Sequence, residues 1–380
     1  VFNTTLKMRR FDLSASQKVD EWNVKNAMAK GKYRLDKKYP ESAIINPSEL
    51  QVLHKGAIKG STLKVDLPKG NWLITRYGFT TTAAINHPAS PAGRGLEIDK
   101  LDAKAMDFHF DQYVGKVIKK AKEHGKHALL YSEIDSYEMG GNNWTQGFDK
   151  LFEQRWGYDF IKWLPLANGK IIDNKKASDA VLADFRNLIA SLMTKNYFQR
   201  FTDLLHQHGM KSYVEPYGNG PLDELAVGGT ADKTMGEFWV DKKGFKGAFA
   251  PAVSSARIYG KNVVSAEAFT AWKEVNWRGH PYSMKIFGDQ AWTTGINETM
   301  FHRYAHQPNT HVVPGMSMGS VGSHIDRTQT WWKNAGTAWF KYLARGSYLL
   351  QQGNPSSDFL IFTGDESPNK VIALKHVKIP

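Results

Sequence analysis

From Gln51 onward the chain alternates between two hydrophobic periods. The runs QVLHK, TLKVDL and NWLITRYGFTTT carry the alternation and β-branched or aromatic content of strands, with PKGN as a turn before the last. The Pro/Gly-rich stretch NHPASPAGRGLEIDK reads as a loop. A helix follows, with Asp102 as its cap, Met106, Phe110, Val114 and Val117 as its apolar stripe, and Gly125 as its stop. HALLYSEID is apolar until its last residues, as expected of a strand buried on both faces. Residues 148–165 read as a helix ending at Leu164–Pro165. The longest helical pattern, 177–208, runs through Val181, Phe185, Leu188, Leu192, Tyr197, Phe201, Leu204 and Leu205 to Gly209. KSYVEPYG, MGEFW and NVVSAEAFT then read as strands, alternating with helical PAVSSARIYG and FGDQAWTTGI. MFHRYAHQP reads as a further strand, TWWKNAGTAWFKYLARGSYLLQQG as a long amphipathic helix, and DFLIFTGD as a last strand.

Repeated strand–helix alternation predicts a parallel α/β architecture. Roughly six such units are present, so a (β/α)8 TIM-type barrel would be incomplete in this chain. The polar, mixed residues 1–50 read as a connecting segment, 51–353 as the barrel portion and 354–380 as the start of a β-rich domain. The start at Val1 and the strand-like KVIALKHVKIP at the end suggest that both ends lie within something longer.

Four of the strands share a design: each ends in carboxylates. They deliver Glu133, Asp135 and Glu138, then Glu215, then Glu237, then Glu267. Parallel β/α folds build sites from strand C-terminal ends, and several carboxylates around one cleft are what glycoside hydrolysis needs. Glu133 and Asp135 share a strand face, with Glu138 in the loop beyond. A helix cap or an Arg partner would account for one of them equally well. Glu267 follows the apolar run VVSA and suits a base positioned by its neighbours. Glu237 lies among apolar residues and needs an Arg, a backbone donor or a metal; calcium suits an all-oxygen set. Glu215 precedes Pro216, and an internal ion pair competes with a site role. His302, Arg303 and His306 share FHRYAHQP. Their run reads as a strand and lacks the Glu of a zinc-binding helix, which favours hydrogen bonds to substrate hydroxyls. Asp326 and Arg327 in HIDRTQTWW read either as site residues or as a helix-capping device.

Composition narrows the chemistry further. Aromatic residues make up 12% of the chain, an excess that suits sugar stacking as well as core packing. With no cysteine, a disulfide, a thiolate nucleophile and a Cys-ligated metal are excluded. The net charge of +13 fits an acidic partner or a solvated surface. Lys116, Lys119, Lys120 and Lys122 alternate with Val117 and Ile118 as a polar helix face does, and no nucleic-acid motif accompanies the charge. No apolar run is long enough to span a membrane. Phosphate-cradling glycine loops and a GxSxG elbow are also missing.

Seven segments in order, GRGLEIDKLDAKAMDFHFD, DSYEMGGNNWTQGF, RWGYDFIKWLP, MGEFW, SAEAFT, FHRYAHQP and HIDRTQTWW, resemble glycoside hydrolase family 106, the α-L-rhamnosidases, over about residues 70–365. The resemblance implies an inverting α-L-rhamnosidase on a (β/α)8 barrel with a bound calcium. It implies a rhamnose-containing polysaccharide or glycoside as substrate and a secreted or periplasmic bacterial setting. On this resemblance Glu138 is the catalytic acid, Glu267 the base, and Glu237 a residue near the calcium or the sugar. Glu133, Asp135, Glu215, His302, Arg303 and His306 would bind substrate, while Trp144 and Trp239 would cover its methyl face or serve as packing. A barrel glycosidase with another sugar specificity and a non-catalytic carbohydrate-binding fragment remain the alternatives.

Overall fold

The computed structural model describes residues 18–371 apart from 20, 29–37, 54–57, 60–61, 126–127, 242–243, 276, 314, 318, 320 and 366. The chain forms two compact units, Val1–Thr81 with Asn143–Leu188, and Thr82–Asn142 with Ile189–Pro380. They are interleaved in sequence, a division that no single run of the chain announces.

The first unit is organised by aromatic packing. Phe148 and Phe152 lie on the helix Phe148–Trp156 and are buried with Phe160 and Phe185. The Phe160 and Phe185 rings stack at 4.9 Å, and Trp144 sits 4.9 Å from Phe148. Ring pairs of this kind add about 1 kcal/mol each beyond the area they bury. A two-residue parallel pair joins Ile44–Ile45 to Ile171–Ile172. Buried Lys25 is neutralised by Asp179 at 2.5 Å, as a buried ammonium requires.

The second unit contains a curled mixed sheet resembling half of a barrel. Its strands are β1 (Tyr131–Ile134), β2 (Lys211–Val214), β3 (Lys233–Val240), β4 (Lys246–Ala248), β5 (Val264–Ala271) and β6 (Glu298–Phe301). The order β6-β5-β3-β2-β1 is parallel throughout, and β4 pairs antiparallel with β3. Among the described residues no strand joins β1 to β6, so the barrel expected to be incomplete in this chain is represented by an open half-barrel sheet. Helices Ala250–Ile258, Pro281–Thr294 and Thr337–Leu350 follow successive strands. Alternation along β3 and β5 sends Phe238, Ala266 and Ala268 into one buried cluster with Met284, Trp339 and Leu343, which Phe269 joins out of alternation. It sends Glu237, Trp239 and Glu267 to the opposite face. The small alanines of β5 let helices approach the sheet closely, and burying a ring such as Phe269 stabilises by ~2–3 kcal/mol.

The long helical pattern holds: Lys175–Met193 continues through a π-helical turn, Thr194–Gln199, into Arg200–Gln207. Other expected elements are shorter or absent. Residues 51–53 and 71–82 form no strand, and Leu73 is 83% exposed. Alternating polarity makes a strand only where a partner supplies the ladder. HALLYSEID contributes just Tyr131–Ile134 at the sheet edge, leaving Leu130 exposed instead of buried. The strand expected in MFHRYAHQP stops at Phe301, where the chain turns at His302–Arg303. In DFLIFTGD no strand forms, and Phe359, Leu360 and Phe362 are exposed. KVIALKHVKIP lies almost wholly outside the described residues.

Candidate active site

The C-terminal ends of β1, β3 and β5 open into a cleft of about 690 Å³. Glu133, Asp135, Glu138, Glu237, Trp239, Glu267 and His302 all line it. Strand ends far apart in sequence thus converge, as a parallel sheet requires of its functional edge.

The loop carrying Asp135 and Glu138 is tied to the segment after β2. Tyr137 N donates to Tyr217 O at 2.9 Å, and Asn219 N donates to Tyr137 O at 2.6 Å. Between them lies Gly218 with φ 144°, where a Cβ would stand 2.1 Å from Tyr137 O. Only glycine allows the two loops to approach this closely. Glu215 is buried beneath the junction, its Oε2 accepting from Ser136 N at 3.1 Å and its Oε1 without a partner. Burial first, and then the neighbouring charge of Asp135, push its carboxyl well above the usual range.

Three carboxylates gather here. Oxygens of Asp135, Glu215 and Glu267 lie within 4.8 Å of one another. Like charges so close are costly unless protons or a cation neutralise them. An all-carboxylate donor set with an orphaned buried oxygen suits a hard divalent cation such as calcium. Glu237, to which the sequence assigned the metal, is not one of the three. It pairs in register with Glu267 on the adjacent strand. Burial, then the Glu267 charge, raises it to about 7. Glu133 opens to the cleft but is hemmed in by its walls. That desolvation, with the charges of Asp135 and Glu267, also raises it to about 7.

The model of glycoside hydrolase family 106, described as alpha-L-rhamnosidase, matches residues 2–380. The chain belongs to this family. It is 37% identical over 366 residues to a Formosa agariphila protein provisionally named a beta-glucuronidase, covering 96% of this chain and 31% of that one. It also resembles the structure of a rhamnosidase from Novosphingobium sp. PP1Y, with a TM-score of 0.77 and 27% identity over 91% of this chain and 34% of that one. The chain therefore spans about a third of the length of these relatives.

Not every residue singled out in this family 106 chain reaches the cleft. Arg303 is buried and donates from NH2 to Gly319 O at 2.7 Å, which braces a loop. His306 is exposed on the segment after β6. Trp144 belongs to the aromatic cluster of the first unit. Asp326 accepts from Thr328 N at 2.8 Å, and Arg327 donates to Gln307 O at 2.6 Å, so HIDRTQTWW acts as a turn device. Conversely, Lys100, His109, Tyr137, Tyr197 and Thr270 line the cleft without having been read as site residues. Buried Lys100 pairs with Glu97 at 2.5 Å and lies 5.6 Å from the rings of both Tyr137 and Tyr197. Lys100 and Tyr137 fall inside GRGLEIDK and DSYE, so those motifs carried a signal; Tyr197 sits on a helix whose aromatics read as core.

Proposed function

We propose that this chain carries the acid–base site of an inverting α-L-rhamnosidase, with Glu138 protonating the leaving oxygen and Glu267 activating water. The observation supporting this reading is that the two carboxylates come from different strands, Glu138 from the loop after β1 and Glu267 from within β5, and line one cleft. Inversion needs room for water between the two groups, about 6.5–9.5 Å between the carboxyls. Groups on separate strands that line one cleft can meet that spacing.

The cleft chemistry favours a neutral sugar over a uronic acid. Glu133, Asp135, Glu138, Glu237 and Glu267 all line the cleft that would receive the sugar. A uronate carboxylate about 5 Å from any ionised one of them would meet ~3 kcal/mol of repulsion at an effective dielectric of ~20. A 6-deoxy sugar avoids it, and Trp239, packed 4.8 Å from Trp272, offers an apolar face for a methyl group. Asp135 and Glu215, with an oxygen of Glu267 in reach, would hold a calcium ion. When bound, the ion would supply a grip on vicinal sugar hydroxyls.

The test compares the protein and its E138Q and E267Q variants on an aryl α-L-rhamnoside and an aryl β-D-glucuronide. Each variant should lose ~10²–10⁴-fold in turnover of the rhamnoside while keeping its fold. Preference for the glucuronide would overturn the specificity. Near-normal turnover by either variant would remove that residue's role, and no product from the parent protein would favour a carbohydrate-binding role.

A further inference from the structure

Strand β5 does not run regularly past Glu267. Glu237 on β3 pairs with Glu267, but the next inward residue of β3, Trp239, pairs with Thr270. Two steps on β3 match three on β5, so Ala268 and Phe269 form a β-bulge. Phe269 takes the left-handed region at φ 62°, a strained conformation for an aromatic residue. Its buried ring is held 4.9 Å from Phe238, 6.0 Å from Phe301 and 5.1 Å from Trp339.

The bulge changes which side chains share a face. In a regular strand Glu267 and Thr270, three residues apart, point to opposite sides. The extra residue returns Thr270 to the side of Glu267. There its hydroxyl donates to Glu267 Oε1, and its oxygen lies 3.2 Å from His302 Nδ1. With the hydroxyl proton committed to Glu267, the second bond requires an Nδ1–H donor on the ring. Nδ1 is also 3.5 Å from Glu267 Oε1 itself.

His302 is placed with matching care. Its backbone N donates to Ala268 O at 2.9 Å, inside the bulge, and its carbonyl accepts from Ser323 N at 3.0 Å. The ring rests on Gly322, where a Cβ would lie 3.1 Å from Nδ1 and where φ is 102°. Ring and hydroxyl therefore converge on one oxygen of one carboxylate.

We propose that Thr270 and His302 are positioning residues that fix the orientation from which Glu267 activates water. The proposal rests on the reading of Glu267 as the base. A glutamate's terminal torsion is broad and roughly two-fold, so an untethered carboxylate swings. Pinning Oε1 with a hydroxyl that is itself held by an imidazole N–H removes that freedom. Neither residue needs to touch the sugar for this, so the effect belongs on turnover and not on binding.

The experiment measures kcat and KM on an aryl α-L-rhamnoside for T270V, T270S, H302F and H302N, each in the parent and the E267Q background. T270V should lower kcat by ~10–100-fold with KM within ~3-fold, as expected when a reacting group is misplaced by about 1 Å. T270S should recover most of that loss, and H302N, which keeps a donor near Nδ1, should exceed H302F. In the E267Q background T270V should cost less than ~2-fold, because the group it positions is already disabled. Parent-like kcat in T270V and H302F beside an inactive E267Q would overturn the positioning role alone. So would an undiminished T270V effect on the residual E267Q rate. Normal turnover by E267Q would instead remove the base assignment beneath it. If T270V fails to fold, the H302F and H302N pair decides the question by the same criteria.

Discussion

Replacing Glu224 with Gln should stabilise the protein above neutral pH and leave it unchanged in acid. Glu224 opens the short helix Glu224–Thr230 and is 5% exposed. Its backbone N donates to Asn369 O at 3.1 Å, and its Oε2 accepts from Val371 N at 2.8 Å, which ties residues 369–371 to the helix. Burial outweighs that bond and the nearby Lys370 charge, and the carboxyl is raised from 4.5 to about 7. A carboxyl whose folded pKa lies above its unfolded value favours folding relative to the ionised state only while it is protonated. That contribution is complete below pH ~4.5 and is lost as pH rises through ~7. At 1.36 kcal/mol per unit the difference is worth ~3 kcal/mol at pH 8. A glutamine keeps an acceptor for Val371 N and never ionises. Thermal unfolding of E224Q and the parent should therefore coincide near pH 4.5. At pH 8 the variant should unfold several degrees higher, at ~2–4 °C per kcal/mol. An equal Tm difference at both pH values, or a lower Tm for E224Q at pH 8, would refute the reasoning.

Two further outcomes follow from the site. G218A must push Tyr137 away, since its Cβ would lie 2.1 Å from Tyr137 O. It should cost ~2 kcal/mol or more and lower kcat because Glu138 follows Tyr137 on the same loop; parent-like Tm and kcat would show that the stitch is not needed. Exhaustive chelation should abolish rhamnoside turnover, with recovery on adding calcium; activity that survives chelation would exclude the ion from the mechanism.

The carboxylate-bearing strands were legible because an acid set in an apolar, β-rich run leaves the same mark each time, although Glu237 and Glu267 lie within β3 and β5 and not at the ends the sequence suggested. AEAFT and DSYE carried that mark, and the cleft gathers Glu138 and Glu267 together. The edge of the sheet was not legible. HALLY is as apolar as a buried strand, yet Leu130 is 58% exposed, because apolarity does not say which strand lies beside it. The bulge was equally hidden: left-handed positions are usually marked by glycine, and here the chain uses Phe269 at φ 62°. Without the bulge, Thr270 counts as an outward residue and its bond to Glu267 cannot be foreseen. Glu215 and Asp135 are eighty positions apart and meet because β1 and β2 are neighbours, a pairing set by the tertiary fold.

The most direct test of the central claim follows the anomer first released from an aryl α-L-rhamnoside by proton NMR. Glu138 as acid with Glu267 as base requires β-L-rhamnose to appear first and then mutarotate. Initial release of α-L-rhamnose would show a retaining enzyme, with one carboxylate as nucleophile, and would contradict the account.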